Sequence, residues 1–203
     1  MRVALVQMNS RDDRETNMRE ACRLIEAAAD QGADLVALPE LFLYLGPASE
    51  HARIAEAVPG PTTNHLSAIA ARHRMYVLGG SLLEQAPGEN RFYNTSTLFD
   101  RTGQLIARYR KLHLFDVDLP GQAPYRESAT MVAGKEVVTA DTDFGRAGLT
   151  ICYDLRFPEL YRALASRGTE MIFVIEQGNS RQGEITARRA HPSCLHSITQ
   201  RTQ

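Results

Sequence analysis

The chain has no tryptophan and only three cysteines in 203 residues, and each shortage excludes something. Cys22, Cys152 and Cys194 are odd in number and far apart, which argues for reduced thiols rather than a disulfide framework. No CxxC or HExxH spacing occurs, so no metal is assigned and no structural zinc is expected. No apolar run approaches the roughly 20 residues needed to span a bilayer, so no membrane partner is expected. Lys plus Arg number 23 against 24 Asp plus Glu, which leaves no basic field for nucleic acid or anionic lipid. The opening MRVALVQMNSRDD carries only a short apolar run and no small-residue cleavage pattern, so it reads as mature, cytoplasmic protein.

What is present is ordinary for a globular domain: 43% hydrophobic and 23% charged residues, enough for one sizeable core. RVALVQM (2–8) reads as a strand. Met18, Cys22, Ile25 and Ala29 share one helical face, with Asn17 as a candidate N-cap and Gly32 as a stop. DLVALPE (34–40) follows as a buried strand, giving a β-α-β opening that favours parallel strands. A second helix is predicted over 62–75 and a strand over 76–84. Residues 94–100 and 104–111 suggest a hairpin turning at Gly103. Residues 112–134 have little periodicity and read as a long functional loop. Strands at 136–142 and 146–151, a helix at 158–168 and a strand at 170–175 complete the pattern. The mixture predicts an α/β layered domain with helices outside sheets. Residues 176–203 are mostly polar, with no clear period, and read as a loosely docked tail.

The chemistry concentrates in LTICYDLRFPEL (149–160). Cys152 falls between a predicted strand and a predicted helix start, which exposes a side chain at the top of a sheet. Free N–H groups at a helix start stabilise a thiolate, and Asp154 is a candidate cap for that helix. A buried, inert thiol is the competing reading, and Cys22 fits it well. A nucleophile needs a proton acceptor and an oxyanion partner. Glu40 ends one apolar strand, where partial burial raises a carboxyl pKa towards proton shuttling. Lys111 ends another, where an ammonium can hold an oxyanion; the competing readings are an exposed strand-end charge for Glu40 and a solvated loop lysine for Lys111. His113 offers a rival Cys-His pairing, against a structural role between Leu112 and Leu114.

Three segments, LPELF (38–42), YRKLHLFD (109–116) and GLTICYDLRFPEL (148–160), resemble in order and spacing the signatures of the carbon–nitrogen hydrolase, or nitrilase, superfamily. YNTS (93–96), RYRKLHLFDVDLPGQ and CYDLRFPEL are most similar to its Nit branch, which includes ω-amidases and deaminated-glutathione amidases. The resemblance implies an α-β-β-α sandwich and a Glu-Lys-Cys triad of Glu40, Lys111 and Cys152. It implies a second glutamate at Glu127, and an oxyanion contact from the backbone N–H near Tyr153. It also implies a small amide substrate, no cofactor, and a homo-oligomer formed through the helix after Cys152. The expected activity is hydrolysis of small carboxylated amides through a cysteine thioester. A nitrile or N-carbamoyl hydrolase and a non-catalytic remnant or interaction module are the alternatives. The resemblance covers residues 1–175, the expected hydrolase domain. Residues 176–203 match none of the family's later segments, so the fold is expected to be incomplete at the C-terminus.

Overall fold

The computed structural model describes residues 1–118 and 124–177, and the backbone of two further strands at 184–189 and 197–198. In chain order the elements are β1 (Arg2–Gln7), α1 (Arg14–Asp30), β2 (Leu35–Ala37), α2 (His51–Ile54), α3 (Pro61–His73), β3 (Tyr76–Leu78), β4 (Leu82–Gln85), β5 (Phe92–Phe99) and β6 (Leu105–Arg110). They continue with β7 (Asp116–Val117), β8 (Tyr125–Arg126), β9 (Thr139–Thr142), β10 (Gly145–Ile151), α4 (Pro158–Ser166), β11 (Met171–Ile175), β12 (Glu184–Arg189) and β13 (Ser197–Ile198).

Alternation along the strands builds four layers, because successive side chains point to opposite faces. In the larger sheet β1, β2 and β3 are parallel neighbours. Ala4, Val6, Val36 and Val77 face α1 and α3, meeting Leu24, Ile25, Leu66 and Ile69. The intervening Val3, Leu35, Ala37 and Leu78 point the other way. There they pack on Ala147, Leu149 and Ile151 of β10 and on Phe173 and Ile175 of β11. The remaining face of β11, Ile172 and Val174, is covered by Leu160 and Leu164 of α4. Helix, sheet, sheet, helix is therefore the architecture. Each large apolar side chain in these layers contributes about 1.5–3 kcal/mol by leaving water.

Several local expectations are corrected. The N-cap of α1 is Asp13, whose carboxylate accepts from the Thr16 amide. Asn17 is a turn inside the helix and buried, donating to the carbonyls of Arg11 and Leu43. The strand expected at 76–84 is two strands. Gly80 between them has φ +52°, and a Cβ there would lie 2.1 Å from the Pro39 carbonyl oxygen. The chain breaks at this point and β5 changes partner from β3 to β4. The hairpin of β5 and β6 does turn at Gly103, with φ +83°. The 112–134 loop contains the β7–β8 ribbon and a 3-10 turn at Glu127–Ala129. The expectation of a loosely docked 176–203 tail falls mostly outside the described residues. Of that stretch, β12 runs antiparallel to β1 and β13 parallel to β11.

Candidate active site

Glu40, Lys111 and Cys152 each lie just beyond the end of a strand, and the two-sheet packing brings those ends together. Glu40 follows β2. Its amide donates to the Glu176 carbonyl at 2.9 Å. The flanking residues are held by Ser81, whose amide donates to the Pro39 carbonyl and whose Oγ accepts from the Leu41 amide at 2.9 Å. Lys111 follows β6. Its amide donates to the Asn94 carbonyl, and its own carbonyl accepts from Gly134. Both side chains are nearly sealed from solvent, at 4% exposure for Glu40 and 2% for Lys111.

The Lys111 ammonium lies between two carboxylates. It is 3.1 Å from Glu40 Oε1 and 3.0 Å from Glu127 Oε2. Asn94 Nδ2 donates to the same Glu40 oxygen at 2.9 Å. Glu127 Oε2 also accepts from the Phe115 amide at 2.6 Å. Burial and the charge of Glu127 push the Glu40 carboxyl above its ordinary pKa, although Lys111 and Asn94 pull it back. Burial opposes the charge of Lys111, but the Glu40 and Glu127 carboxylates outweigh it and hold the ammonium above the usual lysine range. Lys111 is therefore a fixed cation.

Cys152 begins a 3-10 turn, Cys152–Arg156, directly after β10 and has φ +47°. The helix α4 starts only at Pro158, so the expected helix-start stabilisation of a thiolate is not what governs this site. Burial and the Glu40 carboxylate raise the thiol to about 12, with Lys111 opposing. The sulfur is thus a thiol at neutral pH and needs a base during attack. Its alkylation by iodoacetamide is expected to rise about tenfold per pH unit between pH 7 and 9. A plateau below pH 8 in the mass-spectrometric rate for the Cys152 peptide would contradict this environment.

Asp154 does not cap α4. It is fully buried under the corner and accepts from four donors. These are the Tyr109 hydroxyl at 2.6 Å, the Ile151 amide at 2.9 Å, the His113 amide at 3.0 Å and His113 Nδ1 at 2.7 Å. His113 also stacks on Phe157 with centroids 3.6 Å apart. Its ring is committed to bracing the corner and is absent from the cavity wall beside Cys152, which disfavours the Cys-His pairing. Tyr153 packs edge-on against Phe115 and Phe157. Its amide belongs to the first turn of the 3-10 segment, where leading N–H groups lack acceptors within the helix.

Glu40, Lys111, Glu127 and Cys152 line one cavity of about 700 Å³. Leu41, Leu83 and Met131 form apolar wall, and Phe115 and Tyr125 come from the ribbon side. Three contributors were not singled out from the sequence, although Asn94 lies within YNTS. Asn94 is a polar residue mid-strand, 54 positions from its partner Glu40. Glu176 follows β11 as Cys152 follows β10, because Ile151 and Ile175 are register partners. His51 enters the wall from α2. Cys22, by contrast, lies 3.3 Å from His65 Nε2 outside this cavity, and Cys194 is outside the described residues.

A four-layer fold with a buried Glu-Lys-Cys grouping at converging strand ends defines a class, and the family comparison names it. The carbon-nitrogen hydrolase family model matches residues 2–198, and the chain belongs to that family. Among relatives, human omega-amidase NIT2 is 42% identical over 171 residues, covering 84% of this chain and 61% of that protein. A deaminated glutathione amidase from Synechocystis is 44% identical over 175 residues, covering 85% and 64%. The structure of Nit3 from Saccharomyces cerevisiae superposes with a TM-score of 0.75 at 33% identity, over 87% of this chain and 64% of that one. A glutamate-to-glutamine mutant of an amidase from Nesterenkonia sp. gives a TM-score of 0.72 at 28% identity, over 87% of this chain and 66% of that one, with acrylamide added to its active site cysteine. The chain thus spans somewhat under two thirds of the length of the curated relatives it matches.

Proposed function

We propose that this chain is an amidase of small carboxylated amides that works through a thioester on Cys152, with residues 1–175 as its hydrolase unit. The observation that carries the reading is a permanently charged Lys111 clamped between Glu40 and Glu127, in the lining of the cavity that Cys152 also lines. Sulfur attacks the amide carbon while its proton passes to Glu40. The tetrahedral oxyanion is held by Lys111 Nζ and the Tyr153 N–H. Collapse breaks the carbon–nitrogen bond, and Glu40 returns the proton to departing ammonia. Water then attacks the thioester, Glu40 takes its proton, and acid and free thiol are released. Glu127 positions Lys111. The raised pKa of Glu40 narrows its gap to the groups it serves, which suits proton shuttling. Every step uses groups of the chain itself and water, so the reading requires no cofactor.

The reading extends to a cytoplasmic homo-oligomer that pairs through α4. None of the described helices is long and apolar enough to cross a membrane. Parallel assays of an amide, the corresponding nitrile and the N-carbamoyl analogue test the activity. Ammonia and carboxylate in equal amounts from the amide are expected. Turnover confined to the nitrile or ureido compound replaces the amidase reading with one of its alternatives, and no turnover of any of them removes it.

A further inference from the structure

Among the polar groups of the cavity wall that the proposed chemistry leaves unused is His51. His51 is wedged edge-on between Tyr44 and Phe92, with ring centroids at 6.2 and 5.9 Å and interplanar angles of 85° and 82°. Its Nδ1 is buried with no hydrogen-bond partner among the described residues. A buried lone pair is tolerated far better than a buried N–H without an acceptor. The proton therefore sits on Nε2, and the ring offers its cavity a single donor. Burial lowers the His51 pKa, consistent with a neutral ring.

Most other polar side chains around the cavity are already engaged. The Tyr44 hydroxyl donates to the Pro47 carbonyl at 3.3 Å, and Arg126 pairs with Asp118 at 2.5 Å. Thr130 Oγ1 reaches the Glu127 carbonyl at 3.5 Å. Tyr125 is 57% exposed and packs against Phe115 with centroids 5.7 Å apart, and Gln177 is exposed. His51 differs in being held in place by two rings while its Nε2 takes no acceptor among the described residues.

We propose that His51 is a specificity-determining residue whose Nε2–H binds an oxygen acceptor at the far end of the substrate's acyl group. This rests on the amidase reading and assigns a binding partner to the substrate carboxylate that the reading already includes, with Cys152 and His51 both lining the cavity. Apolar Leu83 and Met131 in the same wall suit the methylene chain between.

Two probes separate the terms: succinamate, and 4-methylpentanamide, in which an isopropyl group replaces the carboxylate. Kinetics are measured on the full chain, and binding is measured by calorimetry in the Cys152→Ala background. Succinamate is expected to be preferred. His51→Phe keeps an aromatic ring between Tyr44 and Phe92, and is expected to cut that preference about tenfold, the scale of one hydrogen bond. The loss should appear in KM, with kcat within about twofold. His51→Gln, which offers a donor at a similar reach, should restore most of it. A calorimetric preference that His51→Phe removes, in a chain that turns over neither amide, supports the His51 assignment and overturns the amidase reading. An unchanged preference, an equal loss for both amides, failure of glutamine to restore it, or binding of neither amide overturns the assignment.

Discussion

Cys152→Ala is expected to abolish hydrolysis, lowering turnover by at least about 10³-fold, since no other cysteine among the described residues lines the cavity to carry the acyl group. The variant should fold as the parent does. Alanine keeps the Cβ that the corner already accommodates, and the four donors converging on Asp154 are untouched. Cys22→Ala should retain activity, because Cys22 lies beside His65 rather than in the cavity. Circular dichroism and ammonia release on the two variants make the comparison. Activity in Cys152→Ala comparable to the parent would remove the nucleophile assignment and, with it, the thioester.

Lys111→Met is expected to lower turnover by at least about 10²-fold, the scale of losing one preorganised oxyanion partner. It should also destabilise the fold by about 3–5 kcal/mol, because two buried carboxylates lose their shared cation. The sign of the pH dependence follows from Glu40. Its folded-state pKa lies above the ordinary value even with Lys111 present, and removing the cation raises it further. A raised carboxyl contributes stability that is full below its unfolded pKa and is lost as pH rises through its folded pKa. Urea unfolding should therefore place the variant closer to the parent at pH 5 than at pH 8. A gap that is constant with pH, or wider at pH 5, would show that the cluster is not held together by charge.

The legible part of this molecule was what local pattern encodes. Apolar runs and their breaks located the strands, and the ends of those runs located Glu40, Lys111 and Cys152. Gly32 and Gly103 punctuated the chain where a positive φ was needed. What stayed hidden depends on contacts across long separations. Asn17 looked like a cap because it precedes a helical face, yet its amide is spent on Arg11 and Leu43. Gly79 and Gly80 sit inside an apolar run, so only the approach of the Pro39 carbonyl shows why the strand breaks there. Asp154 reads as a helix cap because α4 follows, whereas three of its four donors come from Tyr109 and His113, 45 and 41 positions earlier. The thiol's electrostatics differ from the sequence expectation for the same reason. The helix start was visible in the sequence, but the burial that dominates was not.

The φ of +47° at Cys152 sets catalysis against robustness. A side chain with a Cβ in the left-handed region costs about 1–2 kcal/mol, a cost glycine avoids. The same corner rebuilt with glycine would lose its sulfur and gain a more durable fold. A chain freed from the demand to turn over substrate would therefore reach higher stability by a single substitution at this residue. The cysteine's presence in a backbone shape made for glycine is thus a trade, thermal margin exchanged for a nucleophile aimed into the cavity.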